Sequence, residues 1–282
     1  MLKEKTLNQI STKRKIMLSE NDLFSPFKTF DCGQCFRFEE SGDFISGVVG
    51  KSLLKIPKAD TLGHIEYFSE EPCDSFFDPY HSYADMAESF ISPFSGRERE
   101  ALERAIERGF GIRILKQSFV EALISFIISQ NNNIPRIKKN VAEISRRFGE
   151  AFVCDGETYY SFPSPEALLD AGEKGLQECR LGFRTKYILD AASRLVSGEI
   201  NEEELLALST DEAREKLKII KGVGDKVAAC TLLYGMGRLE CVPIDVWMKK
   251  VFARYFSDTP DLGKWGGVAQ QYLFYNERYI EN

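Results

Sequence analysis

Over roughly the first quarter of the chain apolar residues alternate with polar ones, and beyond it they recur every three to four positions. Between residues 30 and 68 the short runs CFRF, FISGVVG, SLLKI and HIEYF are separated by Glu-Ser-Gly-Asp, Gly-Lys and Ala-Asp-Thr. A strand points successive side chains to opposite faces, so alternating runs between turn residues predict an antiparallel meander. From about residue 79 the period becomes helical and stays so. ILKQSFVEALISFIISQ is apolar almost all round, the pattern of a central buried helix. It stops at Asn131-Asn132-Asn133, residues at home in turns, and Pro135 then fits the first turn of the next helix. Ser164-Pro165-Glu166 starts another helix with a cap and a proline, and Ser209 with Glu212 has capping-box spacing ahead of AREKLKII. Lys221 to Gly224 is then a hairpin between two helices. No repeat or low-complexity linker interrupts the chain, so the fold class is α+β, helices dominating, with the two parts packed together.

At 282 residues the chain has room for a sizeable core, in two domains or one with a large appendage. Hydrophobic residues at 43% and charged ones at 28% exclude wholesale disorder, and no apolar run approaches a membrane span. MLKEKTLNQISTKRKIML lacks the uninterrupted apolar stretch of a signal peptide, which points to an intracellular protein. Seven scattered cysteines form an odd set and fit reduced thiols better than a disulfide framework. Cys32 and Cys35 have CxxC spacing, but CFRF predicts a strand where a thioredoxin-type site needs a helix. With His64 and His81 as the two histidines, no catalytic metal site is expected.

The net charge of −6 argues against a polyanionic partner until its distribution is considered. Residues 60 to 80 carry six acids and no Lys or Arg. Residues 131 to 150 carry five bases against two acids, and residues 216 to 226 four lysines against Asp225. Solvated helix faces account for many such clusters. The second basic cluster, however, surrounds the hairpin KGVGDKVAAC.

A helix, a tight Gly-x-Gly turn and a second helix expose several backbone N–H groups in one concavity, the makings of a phosphate seat at Gly222, Val223 and Gly224. A purely structural turn is the plainer alternative. Lys226 falls in the first turn of the second helix, where the positive dipole end favours the neutral, nucleophilic amine. A solvated surface lysine is the competing reading. Asp245, in CVPIDVWMKK, suits an N-cap, and the same carboxylate could activate an amine or stabilise a sugar cation. Cys230, four residues beyond Lys226 on the same helical face, is either a core thiol or a thiolate partner of the ammonium.

The combination LKIIKGVGDKVAACTLLY…VPIDVWMKK resembles the helix-hairpin-helix, Gly/Pro-rich loop and catalytic aspartate of the DNA glycosylase superfamily. With CGQCFRF, ISQNNNIPRI, LGFRTKYI, VPIDV and AQQYLF in order, the chain is similar to 8-oxoguanine DNA glycosylases over nearly its whole length. The resemblance implies a strand-rich N-terminal domain, residues 1–112, packed on a helical region, residues 113–282. Two helical subdomains would flank the lesion cleft, with the helix-hairpin-helix at about 210–235. It implies that Lys226 attacks C1′ of the damaged nucleotide and forms a Schiff base leading to β-elimination, with Asp245 assisting. Gly33, Cys230, Pro243, Gln270 and Phe274 would form the base pocket, the Gly33 carbonyl accepting the N7 proton that guanine lacks. Asn131 would fill the gap in the duplex, Phe183 act as a wedge, and Arg136 and Arg184 read the opposing cytosine. The implied partner is double-stranded DNA containing 8-oxoguanine, bound by a monomer that needs no cofactor, with a monovalent or divalent cation bridging hairpin and phosphate.

The sequence departs from the family pattern at several points. Lys221 stands where the hairpin commonly has proline, Phe183 where a tyrosine stacks, and Tyr234 where a smaller apolar side chain lines the pocket region. Trp247 replaces a histidine at a phosphate-contact position. No cysteine follows Cys241, so no iron–sulfur cluster is expected. Two alternatives are a monofunctional glycosylase for alkylated bases and a non-catalytic helix-hairpin-helix DNA-binding module. Lys226 speaks against the first, and Lys226 with Asp245 against the second.

Overall fold

The computed structural model describes residues 12–280, so the leader reading of the N-terminus lies partly outside the described residues. The first quarter of the chain runs β1 (Thr12–Met17), β2 (Leu23–Phe24), α1 (Pro26–Asp31), β3 (Phe38–Ser41), β4 (Phe44–Val49), β5 (Ser52–Pro57), β6 (Thr61–Leu62) and β7 (His64–Ser69). Five of these strands make one antiparallel sheet in the order β1-β7-β5-β4-β3, while β2 pairs with β6. In β7 buried and half-buried residues alternate strictly, as expected of a strand with one face on a core. Strand β1, TKRKIM, escapes the hydrophobic pattern because it is an edge strand whose charges face water and whose Ile16 alone is buried.

The helices follow: α2 (Tyr83–Ile91), α3 (Gly96–Gly109), α4 (Phe119–Ser129), α5 (Ile134–Phe148), then a hairpin β8 (Ala151–Cys154) and β9 (Glu157–Tyr160). After it come α6 (Pro165–Glu178), α7 (Arg184–Val196), α8 (Glu202–Ala207), α9 (Thr210–Leu217), α10 (Asp225–Cys230), α11 (Val246–Tyr255) and α12 (Gly266–Ile280). A π-helical segment, Thr231–Gly235, continues α10. The α+β expectation is met. The predicted caps are in place: Ser164 accepts from Ala167 N–H with Pro165 behind it, and Ser209 and Glu212 close both halves of the capping box; Pro135 sits in the first turn of α5 as expected, behind an N-cap, Asn133, that accepts from Arg136 N–H.

Three local expectations fail for physical reasons. CFRF is not a strand, since only Phe38 enters β3. Cys32 and Phe36 belong to the helical core while Cys35 and Phe38 belong to the sheet core, so the segment threads between two interiors and cannot alternate against either. The central helix begins only at Phe119, capped by Ser118, because Ile114 and Leu115 likewise serve the two different cores. The helical period is broken at residues 151 to 160, where Asp155 (φ 50°) and Gly156 (φ 78°) make a two-residue turn between β8 and β9.

One buried ion pair ties sheet to helices. Arg113 and Asp22 are both fully buried at 3.0 Å, and the guanidinium also donates to the carbonyls of Phe77 (3.1 Å) and His81 (2.9 Å) over the ring of Tyr83. Sequence alone gives no sign of it, because the partners are 91 residues apart.

Candidate active site

Helix α4 is buried along almost its whole length, and α5, α7 and α10 pack on it. Where its C-terminal end meets α10, α12 and the loop after α1, there is a cavity of about 60 Å³. Gly33, Lys226, Cys230, Pro243, Asp245, Gln270 and Phe274 all line it, which gathers every catalytic and base-pocket candidate from four separated segments.

Lys226 lies in the first turn of α10 behind the N-cap Gly224, half-buried, with Nζ donating to Ser129 Oγ at 3.1 Å. The ammonium stands 4.9 Å from the centre of the Phe126 ring, a cation–π distance. It is therefore held by the end of α4 and is not a solvated surface lysine. One turn further along, burial pushes the Cys230 thiol up to about 11 against the pull of Lys226, which favours the core-thiol reading. Asp245 is the N-cap of α11, accepting from Met248 N–H at 2.9 Å, and it lines the cavity as well. The two readings of that residue are compatible.

Gln270 and Phe274 lie four apart on α12 and share a face. Gln270 is 5% exposed, and no donor among the described residues reaches its Oε1. An unpaired buried amide oxygen costs about 1–3 kcal/mol, a deficit that a ligand N–H would remove. Gly33 has φ +80°, and a Cβ there would come within 3.2 Å of Ile134 and 3.9 Å of Phe274, so the turn after α1 approaches both closely. Sequence reasoning missed Phe126, Ser129 and Gln271. The first two look like ordinary residues of a buried helix, and Gln271 is indistinguishable from its neighbour in AQQYLF.

Just beyond α4, Asn131 is exposed with φ 47°, a left-handed conformation that asparagine tolerates. Arg136 is exposed in the first turn of α5. Phe183 is 50% exposed, with its ring against the edge of Tyr187. Arg184 is placed differently from the expectation. It is 3% exposed, and its guanidinium donates to the carbonyls of Gln130, Asn131 and Leu181, holding the Asn131 turn from beneath. Trp247 is on the exposed first turn of α11 with Lys250 Nζ 4.8 Å from its ring centre.

The hairpin leaves Gly222 and Gly224 exposed while Val223 is buried and donates its N–H to Ile220 O at 3.0 Å. Asp190 of α7 accepts from Lys221 N–H at 2.9 Å and anchors the turn. Much of the basic clustering is locally neutralised. Lys216 pairs with Glu204, Lys218 with Glu215 and Asp225, and Arg146 and Arg147 with Glu143. Gly222 has φ +79°, and a Cβ would lie 2.3 Å from the Tyr187 ring. Gly222→Ala is expected to cost about 2–3 kcal/mol from strain and overlap, read as a lower denaturation midpoint.

No group of three or more His, Cys, Asp or Glu is placed to hold a metal among the described residues. Burial raises the Cys32 thiol to about 12 and also raises that of Cys35, and Cys32 donates to Thr29 O at 3.1 Å, so both thiols are structural. No helix among the described residues is long and apolar enough to cross a membrane.

A lysine on the second helix of a helix-hairpin-helix and an aspartate capping the helix that follows, met at one cavity, define the class as the helix-hairpin-helix base-excision fold. Residues 124–264 match the HhH-GPD superfamily base excision DNA repair protein profile, and residues 15–123 match the 8-oxoguanine DNA glycosylase N-terminal domain. The chain belongs to the HhH-GPD superfamily and, within it, to the 8-oxoguanine DNA glycosylase family. It is 31% identical over 202 residues to the probable N-glycosylase/DNA lyase of Methanothermobacter thermautotrophicus, covering 61% of this chain and 64% of that protein's length. The structure of MBOgg1 with a low-affinity DNA ligand superposes with a TM-score of 0.86 at 35% identity over 98% of both chains. The Clostridium acetobutylicum 8-oxoguanine glycosylase/lyase, bound to double-stranded DNA with cytosine opposite 8-oxoguanine, superposes with a TM-score of 0.83 at 30% identity. That match covers 98% of this chain and 100% of the other.

Proposed function

We propose that the chain is a bifunctional DNA glycosylase and AP lyase that removes 8-oxoguanine from duplex DNA inside the cell, acting as a monomer. The observation that carries this is the convergence of Lys226, Asp245, Gln270, Phe274 and the Gly33 turn on one cavity, with Lys226 directly following a hairpin whose Gly222 and Gly224 are exposed. A base inside a duplex offers no path to its sugar C1′, so the nucleotide is extruded at a cost of a few kcal/mol. Asn131 and Phe183, both exposed, fill the space left behind and offset part of that cost. Arg136 reads the orphaned base, and Arg184 holds the Asn131 turn that serves it.

The backbone N–H groups at Gly222 and Gly224 seat a phosphate without reading sequence, and a cation on the hairpin carbonyls would bridge to the same phosphate. In the cavity the base stacks on Phe274, gives an edge N–H to Gln270 Oε1, and presents its N7 proton to the Gly33 carbonyl. Lys226, its ammonium proton given up to solvent, forms a bond to C1′ as the glycosidic bond breaks, and the base leaves with the electron pair. Asp245 stabilises the positive sugar. The proton that the bound nitrogen loses passes to the departed base anion, a proton delivered to O4′ opens the ring to the iminium, and removal of a C2′ proton then expels the 3′ phosphate.

Duplexes with 8-oxoguanine, 3-methyladenine or guanine opposite cytosine discriminate this reading from an alkylated-base glycosylase, since only the first should be excised and nicked. Affinity for the 8-oxoguanine duplex should fall with salt along a log–log slope of about −3 to −5, from roughly three to five phosphate contacts. A slope near zero in fluorescence anisotropy would remove the hairpin from the interface.

A further inference from the structure

The carbonyls on either side of Gly33 are both taken by buried glutamine side chains. Gln271, 2% exposed, donates from Nε2 to Cys32 O at 3.0 Å, and Gln117, 6% exposed, donates from Nε2 to Gln34 O at 2.7 Å. Between them, no donor among the described residues reaches the Gly33 carbonyl. Tyr234 ties the two clamps together. Its hydroxyl donates to Gln271 Oε1 at 2.6 Å, which turns the Gln271 amide so that nitrogen faces Cys32, and its own carbonyl accepts from Gln117 N–H at 2.7 Å. The Tyr234 ring stacks on Phe126 at 5.2 Å and 19°, and Phe126 on its other contact carries the Lys226 ammonium.

Gly33 is the residue of the turn best able to rotate, because it lacks a Cβ. A loose peptide there would turn its oxygen away from the N7 lone pair of guanine and so abolish any penalty for the wrong base. Held in place, the same oxygen gains a hydrogen bond from an N7–H and meets unrelieved repulsion from a bare N7. We propose that Tyr234, Gln271 and Gln117 are positioning residues that fix the Gly33 carbonyl as the one open acceptor of its turn, and that they set discrimination between 8-oxoguanine and guanine. The proposal rests on the 8-oxoguanine reading above and assigns to this chain's own Tyr234 and Gln271 the rigidity which that reading requires.

The test measures equilibrium binding in the Lys226→Gln background to three duplexes, with 8-oxoguanine, guanine or a tetrahydrofuran abasic analogue opposite cytosine. Adding Gln271→Leu should lower the 8-oxoguanine-to-guanine affinity ratio about tenfold, the loss of one buried hydrogen bond's worth of order, and leave the tetrahydrofuran duplex unchanged. Tyr234→Phe, which keeps the ring against Phe126, should lower the ratio about threefold, and it decides the matter if Gln271→Leu does not fold. A ratio unchanged in Tyr234→Phe and in any folded Gln271→Leu protein overturns the proposal. Equal weakening on all three duplexes also overturns it, because that marks a merely structural role. A background protein that binds the 8-oxoguanine and guanine duplexes equally overturns the functional reading itself.

Discussion

Replacing Lys226 with glutamine abolishes the borohydride-trapped complex with an 8-oxoguanine duplex and lowers the single-turnover excision rate on the order of 10⁴-fold or more, with lesion binding retained. Glutamine has no amine to bond C1′, so both base release through attack and the reducible iminium disappear. Its amide can still reach Ser129 Oγ, which accepts from Nζ at 3.1 Å in the parent, and can lie against the Phe126 ring. The hairpin amides that hold the strand belong to Gly222 and Gly224, in a turn fixed by Val223 N–H on Ile220 O and Lys221 N–H on Asp190, and do not depend on the side chain. Loss of trapping with loss of binding would mean a collapsed site, distinguishable by circular dichroism and melting. Trapping at wild-type yield would move the nucleophile elsewhere.

That experiment targets a residue visible in sequence, and the reason it was visible is local. A Gly-x-Gly turn between capped helices dictates the backbone at 222 to 226 by short-range rules, so the place of Lys226 follows from four or five neighbouring residues. The same holds for Asp245, whose capping role is a property of its own helix. The meander was legible wherever one face of a strand met one core. It was illegible at Cys32 to Phe38, where successive side chains enter two interiors, and at β1, whose face to water hides the period. The Asp155-Gly156 turn carried a readable signal that the surrounding helical period outweighed. What no local rule supplies is long-range polar pairing: Arg113 with Asp22, Arg184 with the end of α4, Gln271 with Cys32 over 239 residues. Charge clusters were misleading for the same reason, since pairing partners such as Glu204 for Lys216 lie outside the window in which charge was counted.

Asp245→Asn separates the two functions that one carboxylate serves. Asparagine caps a helix about as well as aspartate, so the bond from Met248 N–H persists and stability should change by no more than about 1 kcal/mol, the part lost being the favourable charge at a helix N-terminus. The rate of base release should nevertheless fall about 10²–10³-fold, the usual cost of removing one preorganised charge from a developing cation in a dry site. Asp245→Ala should add to that loss a further ~1 kcal/mol of destabilisation from the missing cap. The pair of variants thus places rate and stability on different axes. If Asp245→Asn excises at the wild-type single-turnover rate while Asp245→Ala only melts earlier, Asp245 is a cap and the sugar cation is stabilised by another group. If both variants are slow and only the alanine form melts earlier, the helix end exists to hold a charge where α11 and α10 converge on the cavity.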